Sequence, residues 1–169
     1  MSSNKYLPAI ISGFGAAVLS TIPFLNIFNC CLIIPGAAIL ALYLYQKTIL
    51  NGYPISLSNA LGFGLLTGII AAIFASAFDI LITYIAHTND LVQGLPQSED
   101  FLRQFNLGKI MDDSIKLIEE MASDIEANGF SPLYIVMITI SNLIIYSIFG
   151  TLGGLLGMAI LNKRRRGQF

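Results

Sequence analysis

The sequence predicts an all-α integral membrane protein with four transmembrane helices and an extracytoplasmic amphipathic helical segment between the third and the fourth. Three observations carry that fold class. Apolar residues make up 55% of the 169-residue chain and charged residues 11%, against about 25% charged in an ordinary soluble domain, and the mean hydropathy is +0.74. Four apolar stretches approach the roughly 20 residues that cross a hydrocarbon core as a helix. The charges are also segregated: nine of the ten acids lie between His87 and Ser131, opposed there by Arg103, Lys109 and Lys116, whereas the rest of the chain holds six basic residues and Asp79. A water-soluble fold with this balance lacks the polar residues to cover its surface, so the expected solvent is lipid. By length the chain is a single membrane domain, residues 1–169.

The first span is expected at about 7–25 and is read as a retained helix, because no small-residue cleavage site follows it. Asn26, Asn29, Cys30 and Cys31 then form a hairpin turn, with the asparagines hydrogen-bonding freed backbone groups and Pro23 and Pro35 bending the flanking helices. The second span is expected at about 28–45. Residues 46–58 form a short polar loop with Asn51-Gly52 as a turn and Ser58 or Asn59 as the N-cap of the third helix. That helix, about 60–86, contains one charge, Asp79.

Residues 87–131 are extramembrane, with a short helix near 98–105 and a longer one near 108–128 that stops at Gly129. Met111, Ile115, Ile118, Ala122 and Ile125 recur at helical spacing and form one apolar stripe, the opposite face being acidic. Such a helix lays its stripe over the ends of its own domain or against a copy of itself. The fourth span, about 132–161, is uncharged and longer than a crossing needs, so it is expected to tilt or project. Four crossings put both termini and the 46–58 loop on one side, with Lys5, Lys47 and the Lys163–Arg166 cluster. The positive-inside rule makes that side cytoplasmic.

Small residues at four-residue steps mark close helix approach, the main source of contact where lipid removes the hydrophobic drive between helices. Gly13 in the first span, Gly64 and Gly68 in the third, and Gly150 and Gly154 in the fourth are the helix-packing candidates. The last cluster is also the expected contact for an oligomer. Asp79 is the ionisable residue deep in a span, and Thr83 and His87 follow at four-residue steps. Together with Asn142 they form a candidate polar site. One reading is a proton or cation path; the other is an interhelical fastener in which Asp79 bonds Asn142. Metal chemistry is poorly supplied, since Cys30, Cys31 and His87 offer three ligands without a fourth. Nucleophile motifs, a P-loop and a dinucleotide fingerprint are absent from the sequence. No cofactor, enzymatic activity or nucleic-acid partner is expected.

The hairpin PFLNIFNCC followed by PGAA, the segment GFGLLTGIIAAIF, the acidic amphipathic stretch and the ending IFGTLGGLLGMAIL before KRRR resemble a group of uncharacterised bacterial inner-membrane proteins classed as a domain of unknown function. The resemblance implies four crossings and an inner-membrane location, and no assigned residues. The expected role is therefore that of a non-enzymatic membrane protein acting through the bilayer and through self-association or an envelope partner. The alternative is a small oligomeric transporter or channel subunit that uses Asp79.

Overall fold

The computed structural model describes residues 5–22, 29–89, 92, 94 and 109–166. Those residues form five α-helices and no strand: α1 Leu7–Ser20, α2 Ile34–Thr48, α3 Leu57–Ala86, α4 Lys109–Asn128 and α5 Pro132–Arg166. The chain divides into two compact units, one of Met1–Phe78 with Thr139–Phe169 and one of Asp79–Ile138. Helices α3 and α5 each contribute to both.

Three helical stretches are long and apolar enough to cross a membrane: Cys31–Thr48, Leu57–Ala86 and Pro132–Lys163. The fourth expected span is not among them, over the described residues. With 14 residues, α1 is about 21 Å long, less than the roughly 30 Å of a hydrocarbon core. The described α1 ends at Ser20, and residues 23–25 of its expected extent of 7–25 lie outside the described residues. The Ser20 hydroxyl donates to the Ala17 carbonyl at 2.7 Å and the Thr21 hydroxyl to that of Val18 at 2.8 Å, satisfying terminal acceptors locally. Pro23, two positions after the C-cap Thr21, follows where a proline commonly ends a helix.

The expected hairpin turn falls largely on residues 23–28, outside the described residues. Asn29–Ile33 is a π-helical turn that runs straight into α2, so Asn29, Cys30 and Cys31 open the second helix, close to its expected start near 28. Pro35 accounts for this: it has no N–H to direct at the Cys31 carbonyl, where its ring would also clash in a regular α-helix, so the preceding turn widens. Cys31 is a free, exposed thiol. Asn26 and the short helix expected near 98–105 lie outside the described residues.

Between α2 and α3 the chain reverses through Asn51 and Gly52, both at positive φ, 46° and 84°. The N-cap of α3 is Ser56, whose hydroxyl oxygen accepts from the Asn59 N–H at 3.3 Å, two residues before the expected Ser58. In the first unit, one apolar cluster gathers Ala16, Ala17, Ile34, Ala71, Ala75 and Tyr146. A second gathers Ala9, Leu42, Tyr45, Ile55, Phe63 and Leu161. Alanines dominate the buried positions, and such small side chains let helix backbones approach closely.

In the second unit, α4 ends at Asn128 and Gly129 follows with φ of +78°, the left-handed conformation that glycine adopts without strain. Met121 and Ile125 of α4 cluster with Tyr134 of α5, and Ile118 and Ile138 pack against them. Of the expected apolar stripe, Ile115, Ala122 and Ile125 are buried and Ile118 is half-buried.

Candidate functional site

The glycines of α3 and α5 form a close crossing. A Cβ added at Gly64 would lie 2.5 Å from the Gly150 carbonyl oxygen, and one at Gly68 would lie 2.2 Å from that of Tyr146. Reciprocally, a Cβ at Gly150 would meet the Gly64 carbonyl oxygen at 2.5 Å and one at Gly154 that of Ala60 at 2.3 Å. No larger residue fits at these positions without parting the helices. On the next face of α5, Gly153 backs onto Pro35 and Gly157 onto Ile39 and Leu42 of α2. Gly13 of α1 seats against Thr67 and Ile70 of α3. The helix-five cluster, expected to serve an oligomer contact, is therefore spent on contacts within the chain.

Asparagines join the helices of the first unit. Asn29 is buried and its amide donates to the Tyr146 hydroxyl, while its Oδ1 has no hydrogen-bond partner among the described residues. The amide of Asn142 donates to the Ser76 hydroxyl at 3.1 Å. Asn162 holds the backbone of Ile55 at both ends, accepting from its N–H and donating to its carbonyl, each at 3.0 Å. A buried amide left unpaired in lipid is costly, so these bonds fix which faces meet. Tyr146 and Asn162 were not singled out from the sequence, and Ser76 stood out only as one of the small residues at four-residue steps in the third span. The one local signal was Asn162, the first strongly polar residue after the long apolar run.

Asp79 lies half-buried on α3 and is not without a partner. Thr83, one turn on, is buried, whereas His87 is exposed. The sequence places His87 on the same helical face, but α3 ends at Ala86 and His87 adopts a left-handed φ of +52°. Its N–H closes the helix onto the Thr83 carbonyl at 2.9 Å, which makes it a C-terminal cap of the kind usually supplied by glycine. The His87 Nδ1 lies 3.5 Å from the Glu126 carbonyl oxygen. A Cβ at Gly129 would sit 2.8 Å from the Tyr84 carbonyl oxygen and 3.1 Å from His87 Nε2. The end of α3 thus lies against the end of α4, with the His87 ring beside Glu126 and Gly129. Among the described residues no group of three His, Cys, Asp or Glu side chains is gathered as a metal site would need.

The opposite face of α4 is left to solvent: Asp112, Asp113, Glu119, Glu120, Asp124 and Glu126 are all exposed, with Lys116 the basic residue among them. A family model described as a protein of unknown function (DUF4199) matches residues 6–163. The chain belongs to the DUF4199 family. The DUF4199 match runs from Tyr6, just before α1, to Lys163, so it takes in α1 to α4 and all of α5 but its last three residues. This DUF4199 chain gives no significant match to a curated protein or to a solved structure.

Proposed function

We propose that this protein is a non-enzymatic, multi-pass membrane protein that works through contacts made by α4, on the extracytoplasmic side of a bacterial inner membrane. One observation supports this reading above the others. The apolar stripe of α4 is consumed on Tyr134 and Ile138 of its own chain, which frees its six exposed acids for a partner rather than for a core. Because the glycine faces of α5 are occupied internally, the contact passes to this acidic face, and an envelope protein with a basic surface suits it better than a second copy, which would bring like charges together.

Topology supports the same reading through two helices alone. Leu57–Ala86 and Pro132–Lys163 each have the length and apolarity of a crossing. If both cross, the acidic segment lies opposite the 46–58 loop and the Lys163–Arg166 cluster whatever the short α1 does. The positive-inside rule then assigns the basic side to the cytoplasm.

The reading is tested by placing a photo-crosslinking side chain at Glu120 in cells and repeating the capture after Glu119, Glu120 and Asp124 are replaced by serine, with the crosslinker moved to Ser123. A specific adduct that weakens with the substitutions and with added salt supports an electrostatic contact. Equal capture with and without the acids would sink it. Transport through Asp79 is the second reading, because a carboxylic acid within a spanning helix is costly and marks ion pathways in many membrane proteins. A proton-coupled flux abolished by Asp79→Asn would carry that reading, and flux unchanged in the variant would end it.

A further inference from the structure

Between α1 and α3 the surface of the first unit carries an apolar groove of about 560 Å³, lined by Tyr6 and Ile10 on one side and by Gly62, Leu65 and Ile69 on the other. That volume falls in the range of about 300–1,000 Å³ found for small-molecule sites. Gly62 explains why the groove exists. Gly64 and Gly68 are small because α5 presses on them, yet a Cβ at Gly62 would meet nothing within 4 Å. Its missing side chain serves no helix contact and leaves an opening.

Length and charge point to one occupant. From Gly62 to Ile70 the groove follows α3 for eight residues, about 12 Å, close to the roughly 15 Å depth of one leaflet's hydrocarbon. At its mouth the Lys5 Nζ sits 5.7 Å from the centre of the Tyr6 ring, and Tyr6 is stacked near Phe63, which also touches Tyr45 two residues before Lys47. The residues of this unit, 1–78 and 139–169, include six basic side chains and no acid. A second copy docking through the same end would bring only cations together. A phosphate-headed lipid brings the missing negative charge and a chain of suitable form.

We infer that the groove holds one acyl chain of an anionic phospholipid from the leaflet at the basic end of the protein, with the lipid phosphate set against Lys5. The inference rests on the membrane reading above but not on any partner of α4. Leucine at position 62 fills the groove from its α3 side, where an added Cβ meets nothing within 4 Å. Gly15→Leu, where an added Cβ also meets open space but outside the groove lining, is the matched control.

The test is native mass spectrometry of the full chain in mild detergent, titrated with palmitoyl-oleoyl phosphatidylglycerol or with the phosphatidylcholine of the same chains. The wild type and Gly15→Leu retain phosphatidylglycerol in preference to phosphatidylcholine. Gly62→Leu loses both, and Lys5→Gln, at an exposed position, keeps the chain but lowers the headgroup preference about fivefold. Wild-type retention in Gly62→Leu overturns the proposal, as does an unaltered preference in Lys5→Gln. A change from dimer to monomer in Gly62→Leu with lipid binding intact assigns the groove to a second copy and also overturns it. Failure of the wild type to fractionate with membranes instead overturns the membrane reading itself, and that outcome is read separately from the lipid count.

Discussion

Gly68→Ala separates close packing from mere smallness. The added Cβ would lie 2.2 Å from the Tyr146 carbonyl oxygen and 2.8 Å from its carbon, where ordinary contact begins at 3.4 Å. The obstacle is backbone, so no side chain can swing aside. The crossing must open by about 1 Å, a gap that forfeits a quarter to a half of each dispersion contact it stretches. Overpacking of this kind costs about 1–3 kcal/mol, and alanine returns about 0.5–1 kcal/mol through its lower backbone entropy in a helix. The expected net loss is about 1–2 kcal/mol, or about 2–8 °C in Tm for a chain of this size. Thermal unfolding in detergent, followed by circular dichroism, reads it. Gly62→Ala has the same chemistry and no obstacle, so its Tm stays level or rises. Once one substitution has parted the helices, Gly150→Ala adds less than its separate cost, because the two positions share one crossing. Equal melting of Gly68→Ala and Gly62→Ala would refute the close crossing.

The asparagine contacts give three further expectations. Tyr146→Phe leaves the buried Asn29 amide without its acceptor and lowers stability by about 1–3 kcal/mol, while Asn29→Ala in the same background adds little; a double-mutant cycle measures the coupling. Asn162→Ala frees both backbone groups of Ile55, so amide exchange in residues 49–56 rises with little change in the exchange of α3. Gly129→Ala forces a side chain into φ of +78° against the Tyr84 carbonyl, at a cost of about 1–2 kcal/mol, and limited proteolysis at the end of α4 becomes faster.

The elements most legible in the sequence were those set by local chemistry. Gly129 marked the end of α4 because a left-handed residue is needed there, and Asn51-Gly52 marked a turn for the same reason. The stripe Ile115, Ile118, Ala122 and Ile125 revealed which face of α4 is buried, though not that Tyr134 and Ile138 would receive it. Small residues at four-residue steps announced close helix approach, yet spacing carries no information about which helix approaches. Gly62 and Gly64 differ by two positions and by whether anything lies against them, a distinction only the packing supplies.

What the sequence did not carry came from interactions that are distant in sequence and from the ends of helices. An asparagine beside a proline-rich stretch fits a turn, and no local pattern says that the Asn29 amide reaches Tyr146 on α5. His87 was placed on the face of Asp79 by counting in fours, a count that lapses once the helix stops at Ala86. The span at 7–25 followed from hydropathy alone, whereas the described α1 ends at Ser20, where the Ser20 and Thr21 hydroxyls bond the last carbonyls.

The most direct measurement is the side of the membrane on which α4 lies. Single cysteines at Glu119 and at Lys163, both exposed, are introduced after Cys30 and Cys31 are changed to serine, and intact cells are treated with a membrane-impermeant maleimide. The account predicts that Glu119→Cys is labelled in intact cells and that Lys163→Cys is labelled only after permeabilisation. Labelling of both from the same side, or of Lys163→Cys alone, would contradict it.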